Sequence, residues 1–109
     1  MIIYISGKIT DNPKYMSDFA KASDKVKAEY DAKVINPAQI SMLLPISEMS
    51  WDDFILIDER FIDCSDAVYF MANWRESRGA CYELAYAKAK GKLLIFENKD
   101  DEELGEGFS

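Results

Sequence analysis

Ala67-Val68-Tyr69-Phe70-Met71, followed by Ser77-Arg78-Gly79-Ala80 and, past Gly91, by Leu93-Leu94-Ile95-Phe96, is the stretch that decides the fold. The first and last runs are short, apolar and rich in β-formers, which predicts buried strands. Ser77 is a good N-cap for a helix running to about Lys90, and Gly91 ends it. A strand, a helix and a second strand in that order predict parallel pairing through a right-handed crossover.

The same unit recurs upstream. Ile2-Ile3-Tyr4-Ile5 stops at Ser6-Gly7 and predicts a first strand. Asp11 or Asn12 before Pro13 predicts a helix start, because proline's missing N–H costs nothing at the first helical position. That helix extends to about Tyr30 and buries Met16, Phe19, Val26 and Tyr30. Val34-Ile35 before Asn36-Pro37 predicts a second strand. Residues 38–49 predict a loop with one helical turn; Met42, Leu43 and Leu44 within it suit either a contact surface or a buried loop. Ser50 predicts the cap of a helix from Trp51 to about Cys64. The expected architecture is a small α/β fold of flavodoxin or Rossmann type, three layers with a parallel sheet of four or five strands in order 2-1-3-4. The loops after strands one and three then flank the crevice where such sheets bind ligands.

Composition narrows the chemistry. The chain has 109 residues, enough for one hydrophobic core, read as a domain over residues 1–97 and an acidic C-terminal tail over 98–109. That tail, with Asp100, Asp101, Glu102, Glu103 and Glu106, predicts a solvated, frayed end. There is no histidine, which excludes Ser-His-Asp and Cys-His catalysis and disfavours a metal site; no metal or other cofactor is expected. A net charge of -7 argues against a nucleic-acid polymer as partner. Two cysteines, Cys64 and Cys81, read as small buried hydrophobes in a reducing compartment. The first residues lack a basic leader and no apolar run spans a membrane, so a cytoplasmic protein without a membrane partner is expected.

Two carboxylates break the structural pattern. Asp58 stands four after Phe54, three after Ile55 and three before Phe61, in the middle of an apolar helical stripe. A carboxylate there is costly unless paired or protonated, so it is a functional acid, or the partner of Arg60 or Arg78, or the stripe faces partly outward. Glu83 shares a helix face with Ala80 and Ala87, so it points inward. Ser77 and the free amides of Arg78, Gly79 and Ala80 form a helix N-terminus suited to an anion. Ser6, Gly7 and Lys8 supply a hydroxyl, a close backbone approach and a cation in the first loop. Tyr4 reads from its position alone as a core aromatic. Trp74 suits either a cover for a ligand base or a packed anchor.

The order Tyr4-Ile5-Ser6-Gly7, Asp58, Asp66 and Ser77-Arg78-Gly79-Ala80-Cys81-Tyr82-Glu83 resembles the nucleoside 2-deoxyribosyltransferase superfamily, in particular its small phage and bacterial branch. The likeness covers the chain to about Phe96. It implies Glu83 as the nucleophile that forms a glycosyl ester, Asp58 as the acid that contacts the departing base, and Tyr4 as an assistant to the glutamate. Transferases of that superfamily carry an aspartate where this chain has Ser77, whereas its nucleoside 5'-monophosphate N-glycosidases carry a phosphate-binding serine. The resemblance therefore implies a hydrolase of a nucleoside 5'-monophosphate, with base transfer or non-catalytic nucleotide binding as alternatives. It also implies a homodimer or larger homo-oligomer with a small-molecule nucleotide or nucleoside as ligand. The first loop departs from the glycosidases, since Lys8 and Thr10 replace their serine and basic pattern.

Overall fold

The structure, a computed structural model, describes residues 1–102. Its strands are β1 (Ile2–Ser6), β2 (Lys33–Ile35), β3 (Ala67–Phe70) and β4 (Leu93–Phe96). They form one parallel sheet in the order β2-β1-β3-β4, as expected. Four helices, α1 (Tyr15–Tyr30), α2 (Pro37–Ser41), α3 (Trp51–Asp63) and α4 (Arg78–Ala89), flank it in a Rossmann-like three-layer arrangement. No helix among the described residues is long and apolar enough to cross a membrane.

The strand alternation sorts the core into two halves. Ile3, Ile5, Ala67 and Tyr69 face α1, where Phe19, Ala22 and Val26 cover them. Tyr4, Val68, Phe70 and Phe96 face the other way, toward Ile62 of α3 and Ala80, Leu84 and Ala87 of α4. Period two places Tyr4 and Ser6 on the same face of β1. Both are almost wholly buried, and both therefore point at α4.

Local chemistry explains the boundaries. Ser50 and Asp53 form a reciprocal capping box at the start of α3. Ser77 Oγ accepts the Ala80 N–H at 3.1 Å to cap α4, and Gly91 takes φ 71 just past its end. At α1 the expected start at Pro13 is too early by two residues. Asp11 adopts φ 60 and Asn12 Oδ1 accepts the Lys14 N–H, so the chain turns once more before Tyr15 begins the helix. Of the residues expected in its core, Phe19 and Val26 are buried, and Met16 and Tyr30 pack at the edge.

Two further expectations are corrected, and one open reading is narrowed. Cys64 and Cys81 are exposed, because Cys64 lies past the last turn of α3 and Cys81 points away from the buried stripe of α4. Residues 38–49 hold the end of α2 and a 3-10 turn (Ile46–Glu48), and of the two readings of their apolar side chains Met42 and Leu43, 69% and 86% exposed, take the surface one. The acidic stretch after β4 is not frayed as far as it is described. A 3-10 turn over Lys99–Asp101 buries Asp101, while Glu103 and Glu106 lie outside the described residues.

Candidate active site

Beyond the carboxyl ends of β1 and β3, a cavity of about 360 Å³ opens between α1, α2, α3 and α4. Its walls are mostly apolar, with Ile40, Leu44, Trp51, Phe54 and Phe61 among them. Tyr4, Gly7, Asp58, Ser77, Gly79 and Glu83 all line it. Six of the eight residues singled out from sequence thus meet around one space. Ser6 and Lys8 do not line it.

Glu83 is the centre of the arrangement. It lies on the inner stripe of α4 with Ala80, Leu84 and Ala87, and is 5% exposed. Tyr4 donates its hydroxyl to Glu83 Oε2 at 2.7 Å, and Ser6 donates to Oε1 at 2.7 Å. Both carboxylate oxygens therefore have a fixed hydroxyl donor from β1, and the side chain has little rotational freedom left. Ser6 itself does not line the cavity; its hydroxyl is given to Glu83. The signal that reveals this is its i, i+2 spacing from Tyr4, which shares one strand face with it. Gly7 lines the cavity and is packed from behind, since a Cβ there would meet Met71 Sδ at 2.5 Å and Asn73 Oδ1 at 3.2 Å. Lys8 contributes backbone, with its N–H donating to Asn73 Oδ1 at 3.1 Å. Asn73, which joins the two crevice loops, goes unnoticed in the sequence because its partner is 65 residues away.

Asp58 is half-buried and lines the same cavity. Neither arginine proposed as its partner pairs with it. Arg60 reaches Asp63 at 3.8 Å, and the Arg78 guanidinium stacks over Trp51 at 4.0 Å. Burial raises the Asp58 carboxyl to about 6, against the favourable pull of Glu83 and Tyr4. Burial first, and then the charge of Asp58, raise Glu83 to about 8; the Tyr4 and Ser6 hydroxyls work in the opposite direction. The α4 N-terminus, expected to favour the Glu83 charge, is outweighed by this desolvation. Tyr4 itself is pushed well above its ordinary range by burial and by the two acids, so it stays a neutral donor.

The two acids titrate as a pair that holds one proton between about pH 6 and 8. Such a pair, one member held by two donors and the other on an apolar wall, can supply a nucleophile and an acid to the same bond. No lysine or arginine is among the described residues that line the cavity. Positive potential at its mouth comes from the amides at the start of α4 and from exposed Arg78.

Trp74 is the packed anchor and not a cover for a ligand. It is 5% exposed, its ring lies 5.9 Å from both Phe70 and Phe96, and its indole N–H donates to Asp101 Oδ2 at 3.1 Å.

No curated protein matches the chain. Residues 1–96, which carry the whole sheet and every residue that lines the cavity, match the domain of unknown function DUF4406, and the chain belongs to that family.

Proposed function

We propose that this protein is an N-glycoside hydrolase that cleaves the base–sugar bond of a nucleoside 5'-monophosphate through Glu83. One observation carries the reading. A buried glutamate, gripped at both oxygens by Tyr4 and Ser6, shares a cavity with a second carboxyl, and the two hold one proton between them near neutral pH.

The reaction needs Glu83 ionised and Asp58 protonated. The higher affinity of Glu83 puts the pair's proton there, and the hydroxyls of Tyr4 and Ser6 favour its transfer to Asp58. Glu83 then attacks the anomeric carbon. The glycosidic C–N bond breaks as Asp58 gives its proton to the departing base, leaving a glycosyl ester on Glu83. Water, deprotonated by Asp58, opens that ester and restores both acids. The apolar walls suit a flat base and exclude bulk water from the ester. Ser77 and the amides of Arg78 and Gly79 suit the phosphate, which sits at the mouth where the charge of Arg78 reaches it.

A reading without catalysis draws on one observation. Glu83, whose proton is retained through burial and the charge of Asp58, is also a good neutral hydrogen-bond donor for a bound base. Incubation with a panel of nucleosides and their 5'-monophosphates, with free base followed by chromatography, separates the readings. Hydrolysis predicts base release from a monophosphate without any added acceptor, abolished in Glu83→Ala. Release only when a second base is added indicates transfer. Ligand binding without release, unchanged in Glu83→Ala, overturns the catalytic reading. Association in solution is proposed with it, the exposed Met42 and Leu43 offering an apolar contact beside the cavity.

A further inference from the structure

We propose that Asp101 is a positioning residue for this site: the turn after β4 straps down the loop between β3 and α4, and so holds the N-terminus of the helix that carries Glu83. Among the described residues only two carboxylates are buried, Glu83 and Asp101. The first belongs to the cavity. The second lies on the far side of the β3–α4 loop, beyond the residues that match the family.

Asp101 satisfies both of its oxygens on that loop. Oδ1 accepts from Arg75 Nη2 at 2.6 Å, and Oδ2 accepts from the Trp74 indole N–H. Trp74 in turn accepts the Ser77 N–H on its carbonyl at 3.1 Å, and Ser77 caps Ala80. A chain of hydrogen bonds therefore runs from Asp101 through Trp74 and Ser77 to the first turn of α4. A second carboxylate from the same segment acts alongside it, since Glu97 Oε1 accepts the Ala72 N–H at 2.7 Å. The turn is itself fixed. Asn98 accepts the Asp100 N–H on its side chain and the Asp101 N–H on its carbonyl.

Burying a carboxylate against a half-exposed arginine gives little net stability, whereas removing one partner leaves the others unsatisfied. What the arrangement supplies is a single geometry for a short loop that has no regular structure beyond one 3-10 turn. Glu83 sits less than two turns into α4, so a tilt of the helix start moves it relative to Tyr4 and Ser6 on the sheet.

The test uses the full chain in three forms: wild type, Asp101→Asn, which keeps an acceptor for Trp74, and Asp101→Ala, which does not. Amide exchange is followed by mass spectrometry. In Asp101→Ala, exchange over residues 72–81 rises about tenfold while β1 and β3 change less than about twofold, the signature of local opening. Asp101→Asn falls between Asp101→Ala and wild type. In a Trp51→Phe background, where Trp74 is the one tryptophan left, Asp101→Ala shifts its emission to the red and Asp101→Asn largely restores it. If the proposed hydrolysis holds, kcat in Asp101→Ala falls about tenfold, as misplacement of a reacting group demands. Unchanged exchange over 72–81, or a rise shared equally by β1 and β3, overturns the strap. The catalytic part rests on the function proposed above. Absence of base release by wild type refutes that function, and the exchange and emission data still decide the strap.

Discussion

Replacing Glu83 by Gln should make the fold more stable at alkaline pH while it removes the proposed nucleophile. In the folded protein burial and the charge of Asp58 raise Glu83 from its ordinary 4.5 to about 8. A carboxyl whose affinity for protons is raised by folding favours the folded state most below its unfolded value, here below about pH 4.5. That advantage is lost as pH rises through about 8. A displacement of that size corresponds to about 5 kcal/mol between the two ends of the window. Part of it belongs to Asp58, and the glutamine forfeits one of the two hydroxyl bonds, so we expect a net gain of about 2–3 kcal/mol for Glu83→Gln at pH 9. At pH 4.5 the sign reverses slightly, because there the wild-type side chain is neutral and keeps both hydroxyl contacts. Urea unfolding of both proteins at pH 4.5, 7 and 9 measures this directly. The wild-type midpoint should fall continuously from pH 4.5 to about 8 and level off by pH 9, whereas the variant's should be flat above about pH 7. The variant keeps a smaller loss between about pH 4 and 6, where Asp58, raised mainly by its own burial, gives up its proton. A wild-type midpoint that is flat from pH 7 to 9, or a variant less stable than wild type at pH 9, would refute the assignment of Glu83 as a desolvated, proton-retaining acid.

Asp58→Asn removes the proposed proton donor and, with it, the charge that raises Glu83. Base release should fall by about 10²–10⁴-fold, and the decline above about pH 8 should vanish from the pH–rate profile while the acid limb moves lower. A profile of wild-type shape would assign the proton elsewhere. Gly7→Ala drives a methyl group against Met71 and Asn73 on the opposite loop. The side chain of Met71 can partly yield, so a loss of about 1–2 kcal/mol is expected, read as a lowered urea midpoint.

The fold was legible because its signals are local. Ser50 and Ser77 start helices through their own next turn, Gly91 ends one, and short apolar runs between them become parallel strands. Glu83 and Asp58 were legible for a related reason. Each is a carboxylate at a helical position whose three- and four-residue neighbours are apolar or small, and only a pocket or a partner makes that tolerable. What escaped depends on contacts far apart in the chain. The role of Ser6 requires knowing that β1 lies under α4, 77 residues on, and that of Asn73 requires the two crevice loops to touch. The cysteines were misplaced because their type suggests burial and their position on the helix decides otherwise.

Asp101 shows why an acidic terminus is the hardest of these to read. Composition makes the stretch after Asn98 look solvated, and among its described residues Lys99, Asp100 and Glu102 are exposed. A single carboxylate turned inward finds its two donors at Trp74 and Arg75, 27 and 26 residues back. The tryptophan looked ambiguous for the same reason, since an indole before a helix cap suits a ligand as well as it suits a buried acceptor. The two ambiguities resolve each other. Trp74 is occupied by Asp101, and the tryptophan at the cavity is Trp51, which is exposed there and stacked against Arg78. One buried carboxylate ties the acidic stretch to the β3–α4 loop, and the other, held from the sheet at both oxygens, faces the cavity.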